Sequence, residues 1–505
     1  MKKIISFGLL ALLAGCGGGG GNSGVTSGTS GTTPPVTPPV TSTLPASDTL
    51  ANLCQTPRTG TDPFNNNQAF PDKQGTLANE KTWLRSWIDE TYLWYKEVPT
   101  TLNPESYATA IDYFDVLKTS AKTASGNAKD RFHFTYPTAA WNAMSQQGVE
   151  LGYGISWGRV ATKTLPRKWV VAIVEPGSPA KLAGLQRGDQ LFSVDDADFL
   201  NGNDKATIAA INAGLFPEKE GESHKLVVTR NNVNVTVTVA AANVVAAPVQ
   251  NTTTIDTPSG KVGYLTFNDH NAVSEAKLID SITQLKTAGI SDLVLDLRYN
   301  GGGLLYVASE LAYMIAGPEQ TTGKTFEQTQ FNDKFKPDAP TPFLSTAYGF
   351  SAQKGQALPY LGLKKVTILT SSGTCSASEA IINGLQGVDV EVNLIGGQTC
   401  GKPYGFYPTP NCGTTYFAIQ FKGVNNKGFG DYADGIPATC NVADDFTHAL
   451  GDKNEGQLAA ALSYRNTKTC PAATTGIQLQ AENLPQKFQM VRPVAKEIAI
   501  YSKLK

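Results

Sequence analysis

Residues 366–385, VTILTSSGTCSASEAIINGL, decide the fold class. The first part is a short apolar, β-branched run and reads as a buried strand, while SASEAIINGLQG reads as a helix. Between them Ser371, Ser372, Ser376 and Ser378 crowd into a turn with Gly373. Two more strand-like runs lie upstream, KVGYLTF (261–267) and DLVLDLR (292–298), and LLYVASELAYMIA (304–316) reads as a helix. Strands alternating with helices predict βαβ units and a mostly parallel sheet after about residue 248.

The whole chain is too long for one core: 505 residues at roughly 150 per domain suggest two to four units. Lys and Arg number 42 against 43 for Asp and Glu, so no net field points to nucleic acid or to an anionic membrane surface. The N-terminus, MKKIISFGLLALLAGC, has a basic start and an apolar run too short to span a bilayer, which reads as an export signal. Its LAGC resembles the bacterial lipobox, which implies a lipid anchor on Cys16, a cell-envelope lipoprotein on the periplasmic side or cell surface, and outer-membrane sorting in a Gram-negative host. Residues 17–48 are Gly/Ser/Thr/Pro-rich and read as a tether. Six further cysteines, Cys54, Cys375, Cys400, Cys412, Cys440 and Cys470, suggest disulfides in an exported chain. Their spacing matches no zinc pattern, so no metal is expected.

Residues 80–98 place Trp83, Leu84, Trp87, Ile88, Leu93 and Trp94 at roughly helical spacing, and 107–117 reads as a second helix. From 148 to about 241 the texture turns β-rich, ending in the alternating HKLVVTRNNVNVTVTVA. Within it, EPGSPA (175–180), AGL (183–185) and RGDQL (187–191) resemble the PDZ family. That resemblance implies a sheet edge that takes up an extended peptide C-terminus, with the carboxylate loop at Leu151, Gly152, Tyr153 and Gly154.

Ser376 stands between strand and helix, where open α/β sheets commonly carry functional side chains. The amides that follow it, from Ala377, belong to a helix start and suit a developing oxyanion. The NGGG run at 300–303 follows another strand and allows close backbone approach. A serine nucleophile also needs a base. His270 is the best placed of four histidines; Lys402, in GGQTCGKPYGF, is the alternative, and burial is what would make it basic at neutral pH.

In their order, GYLTF, LDLRYNGGG, SASE and GK resemble the C-terminal processing proteases, the tail-specific serine peptidases of family S41, over roughly residues 80–465. The resemblance implies a multidomain α/β chain: a signal and lipobox at 1–16, a tether at 17–48, a helical N-terminal region at 49–147 and a PDZ domain at 148–245. A ClpP/crotonase-like protease core at 246–470 and a tail of unreadable role at 471–505 complete it. It implies Ser376 as nucleophile, Lys402 as general base, and the Gly302 and Ala377 amides as oxyanion hole. The substrate would be a protein or peptide with a free C-terminal tail, and a Ser-Lys dyad calls for no cofactor. DRFHFTY (130–136) stands in place of a D-x-x-[ST]-x-Y-like segment. Phe406 stands where some relatives have a glutamine that orients the lysine. Cys375 and Cys400 flank the two catalytic residues and are expected to pair as a clamp, the alternative being Cys412 with Cys440. A catalytically weak peptide-binding scaffold, and a hydrolase using His270, are the competing readings.

Overall fold

The tryptophan-rich N-terminal segment forms helix α1 (Leu77–Thr91), started by Thr76, whose hydroxyl accepts from the Asn79 amide at 3.2 Å. Its buried face carries Trp83, Leu84, Trp87 and Ile88, with the two indoles stacked 5.5 Å apart. The helix is shorter than the periodicity predicts. At Tyr92 the backbone turns extended, the Leu93 amide donates to Ile419 O (2.8 Å), and the Tyr92 hydroxyl donates to Asp130 (2.6 Å). Tertiary partners thus end it one turn before Trp94. The second expected helix survives only as Ala110–Phe114.

The computed structural model describes residues 44–160, 164–336, 338–471 and 488–491. Cys16 and most of the expected tether therefore lie outside the described residues. The end of that tether is structured: Ser47–Leu50 is helical, and Ser47 donates from both its amide and its hydroxyl to Glu90. Among the described residues no helix is long and apolar enough to cross a membrane.

The β-rich region contains β1 (Ile155–Val160), β2 (Trp169–Val174), β3 (Gln190–Val194), helix α2 (Lys205–Leu215), β4 (Ser223–Arg230) and β5 (Val233–Ala240). They pair in the order β5-β4-β3-β2-β1. Asn231 and Asn232, both at positive φ (49° and 63°), make the tight β4–β5 hairpin. Alternation sends Leu226, Val228, Val237 and Val239 into a core with Trp157, Trp169, Phe199, Ile208 and Ile211.

The second half supplies the expected α/β sheet: β6 (Val249–Thr257), β7 (Gly260–Phe267), β8 (Asp292–Asp296), β9 (Lys365–Thr370) and β10 (Glu391–Gly396), with Cys440–Asn441 beyond β10. β7 to β10 run parallel and β6 is the antiparallel edge. Odd-numbered Leu265, Phe267, Leu293 and Leu295 face α3 (Ser274–Thr287), α4 (Leu305–Ala316) and α5 (Ala377–Gly387). Even-numbered Val262, Tyr264 and Val294 pack with α6 (Gly456–Thr467). Both faces are covered, which is why these strands read as continuous apolar runs.

Several bonds unite the regions. Strand pairing joins Phe134–Pro137 to Thr414–Phe417, and Cys54 is disulfide-bonded to Cys412. Arg187, from the RGDQL turn, donates to Asp444 Oδ1 (2.7 Å) and to the Tyr299 hydroxyl (2.7 Å) of the α/β half. Arg298, fully buried, donates to Asp296, Asp444 and Glu455 beneath the end of β8. Replacing Cys54 and Cys412 together by Ser is expected to lower unfolding stability by about 2–4 kcal/mol in a denaturant titration. An unchanged midpoint would show that strand pairing alone anchors the N-terminal region.

Candidate active site

Three segments leave the carboxyl ends of neighbouring parallel strands: 297–303 after β8, 371–376 after β9 and 397–402 after β10. This is where an open α/β sheet gathers functional groups. The turn serines do local work. Ser371 donates through its hydroxyl to Arg298 O, and Ser378 to Asn300 O at 3.1 Å. Thr374 Oγ1 donates to Leu297 O (2.9 Å) and the Cys375 amide to Asn300 O (3.1 Å). The turn before α5 is thereby laced to the loop after β8.

Ser376 sits at φ 56°, ψ −115°, a conformation that costs a non-glycine residue about 1–3 kcal/mol and persists only when its surroundings impose it. Two things impose it here. Cys375 is disulfide-bonded to Cys400, and the Ser376 amide donates to Glu379 Oε2 at 3.0 Å. Of the two pairings weighed for Cys375 and Cys412, the clamp is present and Cys412–Cys440 is not; Cys440 joins Cys470.

Glu379 binds more than Ser376. The Lys402 amide donates to the same Oε2 (2.8 Å), while the Gly401 amide (2.8 Å) and the Thr399 hydroxyl (2.5 Å) donate to Oε1. Thr399 Oγ1 accepts from the Ile436 amide, so its proton is directed at the carboxylate. Four donors on two oxygens match an ionised carboxylate. Burial pushes this carboxyl upward and the four hydrogen bonds pull against it. With one oxygen accepting from both the Ser376 and the Lys402 amides, the two residues are fixed as neighbours through their backbones.

Lys402 is itself buried, and its Nζ lies 3.9 Å from the Phe406 ring centroid and 5.1 Å from that of Phe132. Phe406 therefore occupies the expected glutamine position with its ring beside Lys402 Nζ. Phe406 is held edge-on by Phe134 and Phe417. Arg131 donates to the Cys400 carbonyl, so the DRFHFTY segment reaches the lysine loop from the N-terminal side.

Gly302 (φ 98°) packs directly against the turn at Ser376. A Cβ built on it would lie 2.8 Å from Ser376 Cβ and 2.9 Å from the Ala377 nitrogen. Its own amide donates to Asn300 Oδ1 at 2.9 Å. Ala377, the first residue of α5, has an amide with no partner inside its helix. His270 lies beneath this loop: Nδ1 pairs with Asn300 Oδ1 (2.9 Å) and its amide with Gly302 O (3.3 Å). Burial holds its imidazole down at about 3, so it stays neutral and braces the glycines.

The structure thus gathers Ser376, Ala377, Gly302 and Lys402 at one place. Leu151, Gly152, Tyr153 and Gly154 lie elsewhere, at the entry to β1. Leu151 and Gly152 are paired with Asn243 and Ala242, and the Tyr153 and Gly154 carbonyls accept from the Ala180 and Glu175 amides. The sequence reading gave Glu379 no role beyond its place in SASE, and it quoted the NGGG and DRFHFTY segments without giving Asn300, Arg131 or Phe132 a role of its own. The Ser-x-x-Glu spacing was a usable signal for Glu379, since it marks a capping box; for Asn300, Arg131 and Phe132 the quoted segments mark the place but not the contact each side chain makes.

Residues 261–410 match the family model described as Peptidase family S41, and residues 79–136 match that of the Peptidase S41 N-terminal domain. The chain is 31% identical over 231 residues to a carboxyl-terminal-processing protease of Picosynechococcus, covering 45% of this chain and 49% of the relative. It is 26% identical over 235 residues to the carboxy-terminal processing protease CtpA of Bacillus subtilis, covering 46% and 44%. The chain spans about half the length of these curated relatives. A crystal structure of a candidate S41 protease from Bacteroides fragilis superposes with a TM-score of 0.60 at 23% identity, over 80% of this chain and 99% of the other, and so has the same fold.

Two substitutions probe the geometry. Gly302→Ala is expected to lower the melting temperature, because at φ 98° its methyl would lie 2.8 Å from the Cys375 carbonyl oxygen and 2.9 Å from the Ala377 nitrogen, and to reduce peptide-bond hydrolysis by about 10²-fold by displacing the Ala377 amide. Glu379→Gln turns an NH₂ group toward two of the four donors, at about 1–3 kcal/mol per mismatched donor in a urea titration. Wild-type activity in Gly302→Ala, or wild-type stability in Glu379→Gln, would contradict these assignments.

Proposed function

We propose that this chain is a serine endopeptidase of the S41 type, acting on exported or envelope proteins through a Ser376–Lys402 dyad, a reading supported by the S41 models that match residues 261–410 and 79–136. The observation that carries the reading is the double tie between the two residues, the Cys375–Cys400 disulfide and the shared Glu379 oxygen. A chain that only bound peptides would have no use for a nucleophile held at positive φ beside a buried lysine.

In this reading Ser376 Oγ attacks the scissile carbonyl carbon and its proton passes to Lys402 Nζ. The carbonyl oxygen, now an anion, accepts from the Ala377 amide. The second donor is the Gly302 amide, which the oxyanion has to win from Asn300 Oδ1, so the hole is stronger on the Ala377 side. Collapse expels the amine, which takes the proton from Lys402, and water then resolves the acyl-enzyme by the same route. Phe406 and Phe132 lie beside Lys402 Nζ in place of a hydrogen-bonding glutamine.

The region 148–245 is, in the same proposal, a PDZ domain that binds or gates substrate tails, and Cys16 a lipid anchor at the cell envelope. One observation favours the scaffold alternative: Phe406 stands where some relatives have the glutamine that orients the lysine, and its ring lies 3.9 Å from Lys402 Nζ. Casein hydrolysis by the chain from Leu44 onward, disulfides intact, separates the readings. Wild type is expected to cleave, and Ser376→Ala and Lys402→Ala to lose at least about 10³-fold. Activity surviving in Lys402→Ala would move the base to another residue, and a folded but silent wild type would favour the scaffold.

A further inference from the structure

Residues 488–491 have no readable motif, yet they are the most informative part of the tail. Phe488–Met490 forms a strand on the outer edge of β1, antiparallel to it, with Phe488, Gln489 and Met490 opposite Val160, Arg159 and Gly158. The Val491 amide continues the ladder, donating to Trp157 O at 2.7 Å. Val491 packs against the core of the β-rich region. Met490 packs with Ala172, Ile173, Tyr299, Phe446 and Leu450, where that region meets the α/β half.

Direction and place both matter. β1 is the strand entered from Tyr153 and Gly154, and the tail runs from Val160 back toward them. An extended peptide whose C-terminus is read at such a loop has to take this edge in this direction. Met490 also touches the nucleophile turn: a Cβ built on Gly373, three residues before Ser376, would lie 3.5 Å from Met490 Cγ. The tail segment therefore lies between the peptide edge and the catalytic turn.

We propose that the β1 edge is the protein's surface for extended substrate tails and that residues 488–491 are its intramolecular occupant, which a substrate must displace. This rests on the protease reading above in so far as the displaced strand regulates cleavage. Occupancy in cis lowers the apparent affinity for any external peptide by the fraction of molecules whose edge is open. It also covers a strand edge that would otherwise invite pairing with other chains.

The test uses the full chain in detergent with Ser376→Ala, so that the probe is not cut, and a fluorescein-labelled peptide of residues 484–492, LPQKFQMVR, followed by anisotropy. Two releasing changes are added separately: Val491→Pro, which removes the donor to Trp157, and a stop after Pro485. Both are expected to tighten probe binding by about tenfold or more. Equal binding in all three chains, or weaker binding after release, would overturn the proposal and make the strand a fixed part of the fold. Casein hydrolysis with Ser376 intact keeps the two readings apart. Cleavage by wild type without tighter probe binding on release removes only this inference, whereas tighter probe binding with no cleavage by any chain removes only the protease reading.

Discussion

The Glu379 carboxylate is the constraint on which the site depends. Its two oxygens accept from Ser376, Thr399, Gly401 and Lys402, so one buried anion sets the relative positions of two strand ends that are otherwise separate in sequence. A buried carboxylate is costly unless every lone pair is used, and here backbone amides and a hydroxyl use them. The same contacts impose the positive φ at Ser376. The Cys375–Cys400 disulfide repeats the tie covalently. Electrostatic satisfaction and strain are two aspects of one arrangement.

The lysine side of the site is completed by the N-terminal region. Phe132 and Arg131 come from the segment after Asp130, which is itself fixed by Tyr92 at the end of α1. The helical region, stapled to the α/β half by Cys54–Cys412 and by strand pairing, therefore forms a wall of the site. At the other side, Arg187 links the β-rich region to Tyr299 in the loop that leads to Asn300 and Gly302. Arg131 and Phe132 on one side and Arg187 on the other carry these contacts to the candidate site's loops.

The α/β half was legible in the sequence because strands covered on both faces leave continuous apolar runs, and the turn before α5 announces itself by its small residues. The strands on either side of Asn231–Asn232 were legible from their alternation. The end of α1 was not legible: Leu93 and Trp94 continue a helical period, but two residues distant in sequence intervene, Ile419 O accepting the Leu93 amide and Asp130 the Tyr92 hydroxyl. The site divided in the same way. Ser376, Lys402 and Gly302 carry motifs, whereas Glu379's four donors, Phe132 above the lysine and His270 beneath the glycines are products of packing. The tail strand was unreadable because edge pairing asks little of side chains: its bonds are made by the backbone.

The central claim is that this arrangement makes Ser376, and no other serine, a nucleophile. Its most direct test is reaction of the folded chain with a fluorophosphonate, which a serine alkoxide attacks with loss of fluoride, followed by intact-mass measurement and peptide mapping. The account predicts a single adduct, located on Ser376, that forms far more slowly in Lys402→Ala and in Glu379→Gln. Labelling of another serine, or equal rates in all three chains, would contradict it.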